Sequence, residues 1–150
     1  MTIAAPYLVQ TGGRERDPFD YVPEFSRRAR GFTVWAALRS LGRQGAGDLV
    51  DRCCALARRF ADRLGAEPGI EILNDVVLNQ VLVRFGGSDE LTRDVIARVQ
   101  QDGTCWLGGT TWHGVAAMRI SVSNWSTTEE DVDRSAAAIL EMWRAAHEAT

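Results

Sequence analysis

The stretch MRISVSN, residues 118–124, gathers chemically capable side chains on one face of a predicted strand. Side chains alternate along a strand, so Met118, Ile120 and Val122 share one face and Arg119, Ser121 and Ser123 the other. A guanidinium beside two hydroxyls on a rigid sheet could clamp a carboxylate through two charge-assisted hydrogen bonds. The same pattern also describes a solvated strand face whose arginine sits in a surface ion pair. His113 follows Trp112 in a predicted loop, where it could serve as a general acid or base or simply be a partly exposed turn residue. No Ser, Cys or Asp is tied to it by a recognised catalytic spacing. His147, near the end of the last predicted helix, reads as incidental or as a favourable charge beside the helix dipole.

Other candidates resolve into structure. The triplet GGT at 108–110 lacks both the spacing and the lysine of a phosphate loop. GRQGAG, residues 42–47, follows no strand and reads as a helix stop. Arg27, Arg28 and Arg30 stand at a predicted helix start, where positive charge opposes the macrodipole and requires counter-charges, as an acidic partner subunit would supply. Tryptophans 35, 106, 112, 125 and 143 are scattered as core or interface anchors, with no stacking platform for nucleic acid.

The elements that position these residues follow from periodicity. Residues 1–24, with Pro6, Pro18, Pro23 and Gly12-Gly13, read as an extended arm. A helix is expected after Ser26, with Val34, Leu38 and Leu41 on one face and Gly42 or Gly45 as its stop. A second, over about residues 47–64, carries the stripe Leu49, Cys53, Leu56, Phe60 and Leu64. Residues 70–85 predict two strands about a turn at Asn74-Asp75. A helix over about 89–101 follows the cap Ser88, and strands at 104–109 and 115–124 are expected to be joined by TTWHG. Thr127 and Glu130 predict a capping box for a last helix reaching about residue 147. Hairpins between helices imply an α+β fold, a mainly antiparallel sheet with helices packed on one face.

At 150 residues the chain is of one-domain length, enough to bury roughly 68–70% of its unfolded surface. Its 17 basic side chains are all arginine, against 20 carboxylates, for a net charge of −3. That balance argues against nucleic acid as a partner. The three cysteines show no metal-ligand spacing and read as reduced thiols of a cytoplasmic protein. No basic leader precedes the first apolar residues, and no run approaches the ~20 apolar residues of a membrane span.

Three strings go further. DYVPEFSRRARGFTVWAALRSLGRQG (20–45), NQVLVRF (79–85) and GGTTWHGVAAMRISVSNWSTTEEDVD (108–133) resemble the C-terminal part of the group II pyridoxal-phosphate-dependent decarboxylases. That family includes the aromatic-amino-acid, histidine and glutamate decarboxylases. The resemblance runs from about Tyr7 to Trp143. It implies fold type I: a large cofactor domain, then a small C-terminal α+β domain, assembled as a homodimer. On that basis residues 1–24 are the end of the large domain, 25–46 an interdomain or interface helix, and 47–150 the small domain. Arg119 resembles an arginine that holds the substrate carboxylate, and Ser26 a position near the substrate pocket, presented across the dimer interface.

The departure from the family is chemical. Its cofactor, pyridoxal phosphate, is held as a Schiff base by a lysine of the large domain, and this chain has no lysine. The expectation is a C-terminal fragment of an amino-acid decarboxylase, inactive without a lysine-bearing large domain or subunit. A stand-alone, non-catalytic amino-acid-binding or dimerisation module is the alternative.

Overall fold

The structure, a computed structural model, describes residues 28–148, so the predicted arm and Ser26 lie outside the described residues. The chain divides into two compact units at Leu41/Gly42. The described part of the first is one stretch of helix, the opening of α1 (Arg30–Gly65). Gly42 interrupts α1 with a non-helical backbone (φ 66, ψ −175) that glycine adopts without steric cost. Helix resumes beyond it, through Gly45 and Gly47, so of the two expected stops only Gly42 breaks the backbone.

The second unit holds the rest of α1, then β1 (Ile70–Ile72), β2 (Gln80–Phe85), α2 (Asp89–Asp102), β3 (Gly108–Trp112), β4 (Val115–Ser121) and α3 (Glu129–Glu148). The strands form one antiparallel sheet in the order β1-β2-β4-β3. Val81 faces Ile120 and Val83 faces Met118 across β2 and β4, so the apolar sets of the two central strands fall on the same side. Onto that side pack Leu56, Ala57, Phe60 and Leu64 of α1, Val95, Ile96 and Val99 of α2, and Val132, Ala136, Ile139 and Trp143 of α3. The predicted antiparallel sheet with helices on one face is what forms.

Local chemistry sets the boundaries. Ser88 caps α2, its hydroxyl accepting from the Leu91 amide, and Gly103 ends the helix in the left-handed region. The strands expected at 104–109 and 115–124 instead start at Gly108 and end at Ser121, and two further expectations shift. The TTW of TTWHG belongs to β3, because only His113 (φ 47) and Gly114 (φ 84) lie between Trp112 and its partner Val115 in a two-residue hairpin turn. The capping box of α3 is Thr128/Asp131, one residue beyond Thr127/Glu130: the Thr128 amide donates to Asp131 Oδ2 at 3.0 Å, and the Asp131 amide to Thr128 Oγ1 at 3.2 Å. Both pairs satisfy the same sequence rule, so spacing alone does not choose between them.

Trp143 is the one tryptophan in the core, against Phe85 at a ring separation of 5.7 Å. A side chain at Gly69 would put its Cβ 2.7 Å from the Trp143 ring, and one at Gly86 the same distance from Leu91. Both glycines hold positive φ, so the indole lies against bare backbone.

Ion pairs tie α1 to α3 across the edge of this core. Arg59 donates twice to Asp133, at 2.7 and 2.8 Å, and Arg63 donates to the same carboxylate. Arg144 makes the corresponding fork to Glu67. The Arg59 hydrogen bonds hold the Asp133 carboxyl below the usual range against a smaller opposing effect of desolvation, and Arg144 does the same for Glu67. A lowered folded value means that the unfolded chain binds the proton more readily. The stabilisation is therefore complete above the unfolded value, about pH 4, and is lost as pH falls through the lowered one. Urea unfolding should give a midpoint that is level near neutrality and falls below about pH 4. Asp133→Asn should start lower and fall less steeply; parallel curves for the two proteins would contradict this role.

Candidate functional site

The helix-free face of the sheet carries Gln80, Leu82 and Arg84 of β2, Ala117, Arg119 and Ser121 of β4, and Gly108 and Thr110 of β3. Arg119 stands on a central strand, between Leu82 on one side and Gly108 on the other. Its buried neighbours Met118 and Ile120 pin the backbone, while Arg119 itself is exposed. A Cβ added at Gly108 would meet open space, so the β3 side of the guanidinium is clear.

The two arginines of this face differ in kind. Arg84 is committed: it donates to the Gly87 carbonyl at 2.7 Å and pairs with Asp89 at 3.0 Å. Asp89 in turn accepts from the Ala116 amide at 3.1 Å, linking the start of α2 to β4. The Arg119 side chain has no hydrogen bond or ion pair among the described residues, so the surface ion pair that its sequence pattern allowed is not formed. Beyond it Ser121 accepts from Gln80 Nε2 at 3.3 Å. The face thus presents one uncommitted guanidinium on rigid backbone, suited to a carboxylate. The Arg119 side chain is open to water, where a lone ion pair contributes only ~0–1 kcal/mol, so tight binding would need a second surface to cover it.

A cleft of about 410 Å³ lies alongside, between the 104–107 connection, the end of β4 and the start of α3. It includes Ser121 and Ser123 but not Arg119. Cys105 lines it, and burial, opposed in part by a hydrogen bond with Ser135, pushes its thiol pKa up. The protonated thiol favoured there is a poor nucleophile.

The remaining sequence candidates separate. His113 sits at the exposed hairpin tip, its ring 4.6 Å from that of Trp112, with no carboxylate or hydroxyl joined to it among the described residues. His147 stacks on Trp143 at 4.8 Å in the last turn of α3. Cys53 and Cys54 are buried and unpaired. The Arg84–Asp89–Ala116 link went unnoticed in the sequence, because its partners lie in three different elements; the only local signal was Asp89 directly after a helix cap.

No protein-family model matches the chain. It is 28% identical over 109 residues to histidine decarboxylase of Mus musculus, covering 73% of this chain and 16% of that protein. It is 23% identical over 110 residues to 3,4-dihydroxyphenylacetaldehyde synthase of Aedes aegypti, covering 73% of this chain and 21% of that protein. The crystal structure of Oryza sativa TDC with PLP and tryptamine superposes with a TM-score of 0.74 at 20% identity, over 87% of this chain and 30% of that one. The chain therefore spans about a fifth of the curated relatives it matches. It resembles, in sequence and in fold, the C-terminal part of the group II pyridoxal-phosphate-dependent decarboxylases.

Because Arg119 is free and exposed whereas the Arg84 side chain is 14% exposed and paired, their removal should differ. Arg119→Ala should leave stability within ~0.5 kcal/mol, and Arg84→Ala should cost ~1–3 kcal/mol by removing its bonds to the Gly87 carbonyl and to Asp89, which keeps only the Ala116 amide and exposed Arg93. Chemical denaturation of the two variants checks this; equal losses would refute the distinction.

Proposed function

We propose that this chain is the C-terminal portion of a pyridoxal-phosphate-dependent amino-acid decarboxylase, a carboxy-lyase whose chemistry is completed by a lysine-bearing segment outside these 150 residues. The single observation that carries the reading is Arg119. It is uncommitted, fixed on a central strand, and stands in the string that most resembles the decarboxylases. In this reading Arg119 holds the carboxylate of the amino-acid substrate once a second surface excludes water. Ser26 stands near the same pocket across a homodimer interface, and the complete enzyme is cytoplasmic.

The chain's own donors do not fit the cofactor. Pyridoxal phosphate is anchored through a lysine amine, and the sequence offers none. The chain's contribution is thus limited to binding, orientation and interface, and alone it is inactive. The relatives include a synthase as well as decarboxylases, so the reaction class rests on the decarboxylases among them. One observation favours the stand-alone module: among the described residues no buried side-chain polar atom lacks a partner, as expected of a unit stable by itself.

Two experiments test the proposal. With the lysine-bearing segment supplied, Arg119→Ala should lower kcat/KM for the amino acid about 10- to 100-fold, the worth of a charged hydrogen bond. An unchanged kcat/KM removes Arg119 from the substrate site. Pyridoxal phosphate added to the chain alone and reduced with borohydride should label no side chain; a modified side chain in the peptide map would overturn the assignment of the cofactor to another segment.

A further inference from the structure

The cleft between the 104–107 connection, the end of β4 and the start of α3 reaches into the core of the second unit. Its floor is Phe60 of α1, Leu107, Val122 just past β4, and Val132 and Ile139 of α3, all buried. Trp106 lines it too while staying 80% exposed, which puts the indole at the opening. The volume of about 410 Å³ lies within the range of small-molecule pockets, roughly 300–1,000 Å³.

The polar wall of this cleft has its acceptors engaged and its donors left over. One carboxylate oxygen of Asp131 accepts from the Thr128 amide and hydroxyl, and the other from Arg134. The Leu107 carbonyl accepts from Gln100 Nε2 at 2.8 Å, and the Val122 carbonyl from Asn79 Nδ2 at 2.9 Å. Asn124 Oδ1 accepts from both the amide and the hydroxyl of Ser126 at 3.2 Å. The Asn124 Nδ2 protons and the hydroxyl protons of Ser121, Ser123 and Thr127, by contrast, have no acceptor among the described residues. Asp131 and Arg134 are the charged residues of the lining, and they neutralise each other. Burial keeps the Cys105 thiol protonated, so that wall is uncharged as well.

We propose that this cleft binds a small, flat, uncharged ring compound that carries a carbonyl, with the ring on the apolar floor and the oxygen toward Asn124, Ser121 and Ser123. Each part of the lining selects one property of the ligand. The floor and the Trp106 indole favour a flat apolar ring. The unanswered amide and hydroxyl protons favour an oxygen with lone pairs to offer. Charge is selected against, because an ion entering here loses water without gaining a counter-charge. A cation finds Asp131 already bonded, and an anion finds a paired Arg134 beside Glu129 and Glu130 in the first turn of α3. The site is built wholly from the second unit and stands whether or not the decarboxylase reading does.

Acetophenone is the probe, with benzoate and benzylamine as its anionic and cationic counterparts, each titrated into the full isotope-labelled chain without cofactor. Amide resonances of residues 104–107, 121–127 and 131–135 should shift and saturate with a Kd of about 1 mM or tighter, and both ions should bind about tenfold or more weakly. Asn124→Asp keeps the acceptor for Ser126 but removes the free donors, and should weaken acetophenone about 5- to 10-fold. Ser123→Trp, at an exposed position, should fill the opening and abolish the shifts, its folding verified by circular dichroism. In the wild type, acetophenone should also slow alkylation of Cys105 by iodoacetamide, a readout that requires no variant. No saturable shift at these residues, tighter binding of either ion, unchanged binding by a folded variant, or an unchanged rate of Cys105 alkylation would each overturn the proposal.

Discussion

The alternation along β4 is the constraint from which the rest follows. Met118, Ile120 and Val122 each point into the helix-covered core, so the strand cannot slip by one residue without exposing all three and burying Arg119. β4 lies between β2 and β3, and its register is held from both sides by the pairs Val83–Met118 and Gly109–Met118. A guanidinium on such a strand is placed by the whole core rather than by a partner of its own. That explains how Arg119 can be both fixed at its backbone and free at its tip.

Two electrostatic regimes coexist in the chain. In the second unit, Arg59 and Arg63 share Asp133, joining α1 to α3, and Arg144 of α3 holds Glu67 in the turn after α1. These pairs are partly exposed and together trim the edge of a core whose main stabilisation is apolar burial. In residues 28–47 the arginines have no ion pair among the described residues. Seven arginines of the second unit are paired, whereas Arg52, Arg58 and Arg119 are not, and the exposed aromatics Phe32 and Trp35 stand beside the unpaired arginines of residues 28–47. The absence of lysine sharpens the division, since every cation here presents a planar fork suited to carboxylates.

Much of this was legible in the sequence. The two-residue period of 118–124 gave the core face and the open face, and the helical stripe from Cys53 to Leu64 gave the roof. What stayed hidden was decided at short range or across long separations. Thr127 and Thr128 offered equivalent capping boxes, and only the backbone path selects the second. The strand character of Thr110–Trp112 depended on whether His113 would enter the left-handed region, which spacing does not reveal. Trp143 alone among the tryptophans is buried, because Gly69 and Gly86, far away in sequence, leave room for its ring. That Arg84 would be paired and Arg119 free required the position of Asp89, in another element altogether.

The central claim is that the Arg119 face is one wall of an amino-acid site whose cofactor-bearing part lies on a lysine-containing segment beyond these residues. The most direct measurement is to read the coding DNA immediately upstream of Met1 in all three frames. A lysine-bearing cofactor domain is expected there, in frame or one shift away. Upstream sequence that encodes no such domain in any frame would contradict it, and would leave the chain as an independent binding module.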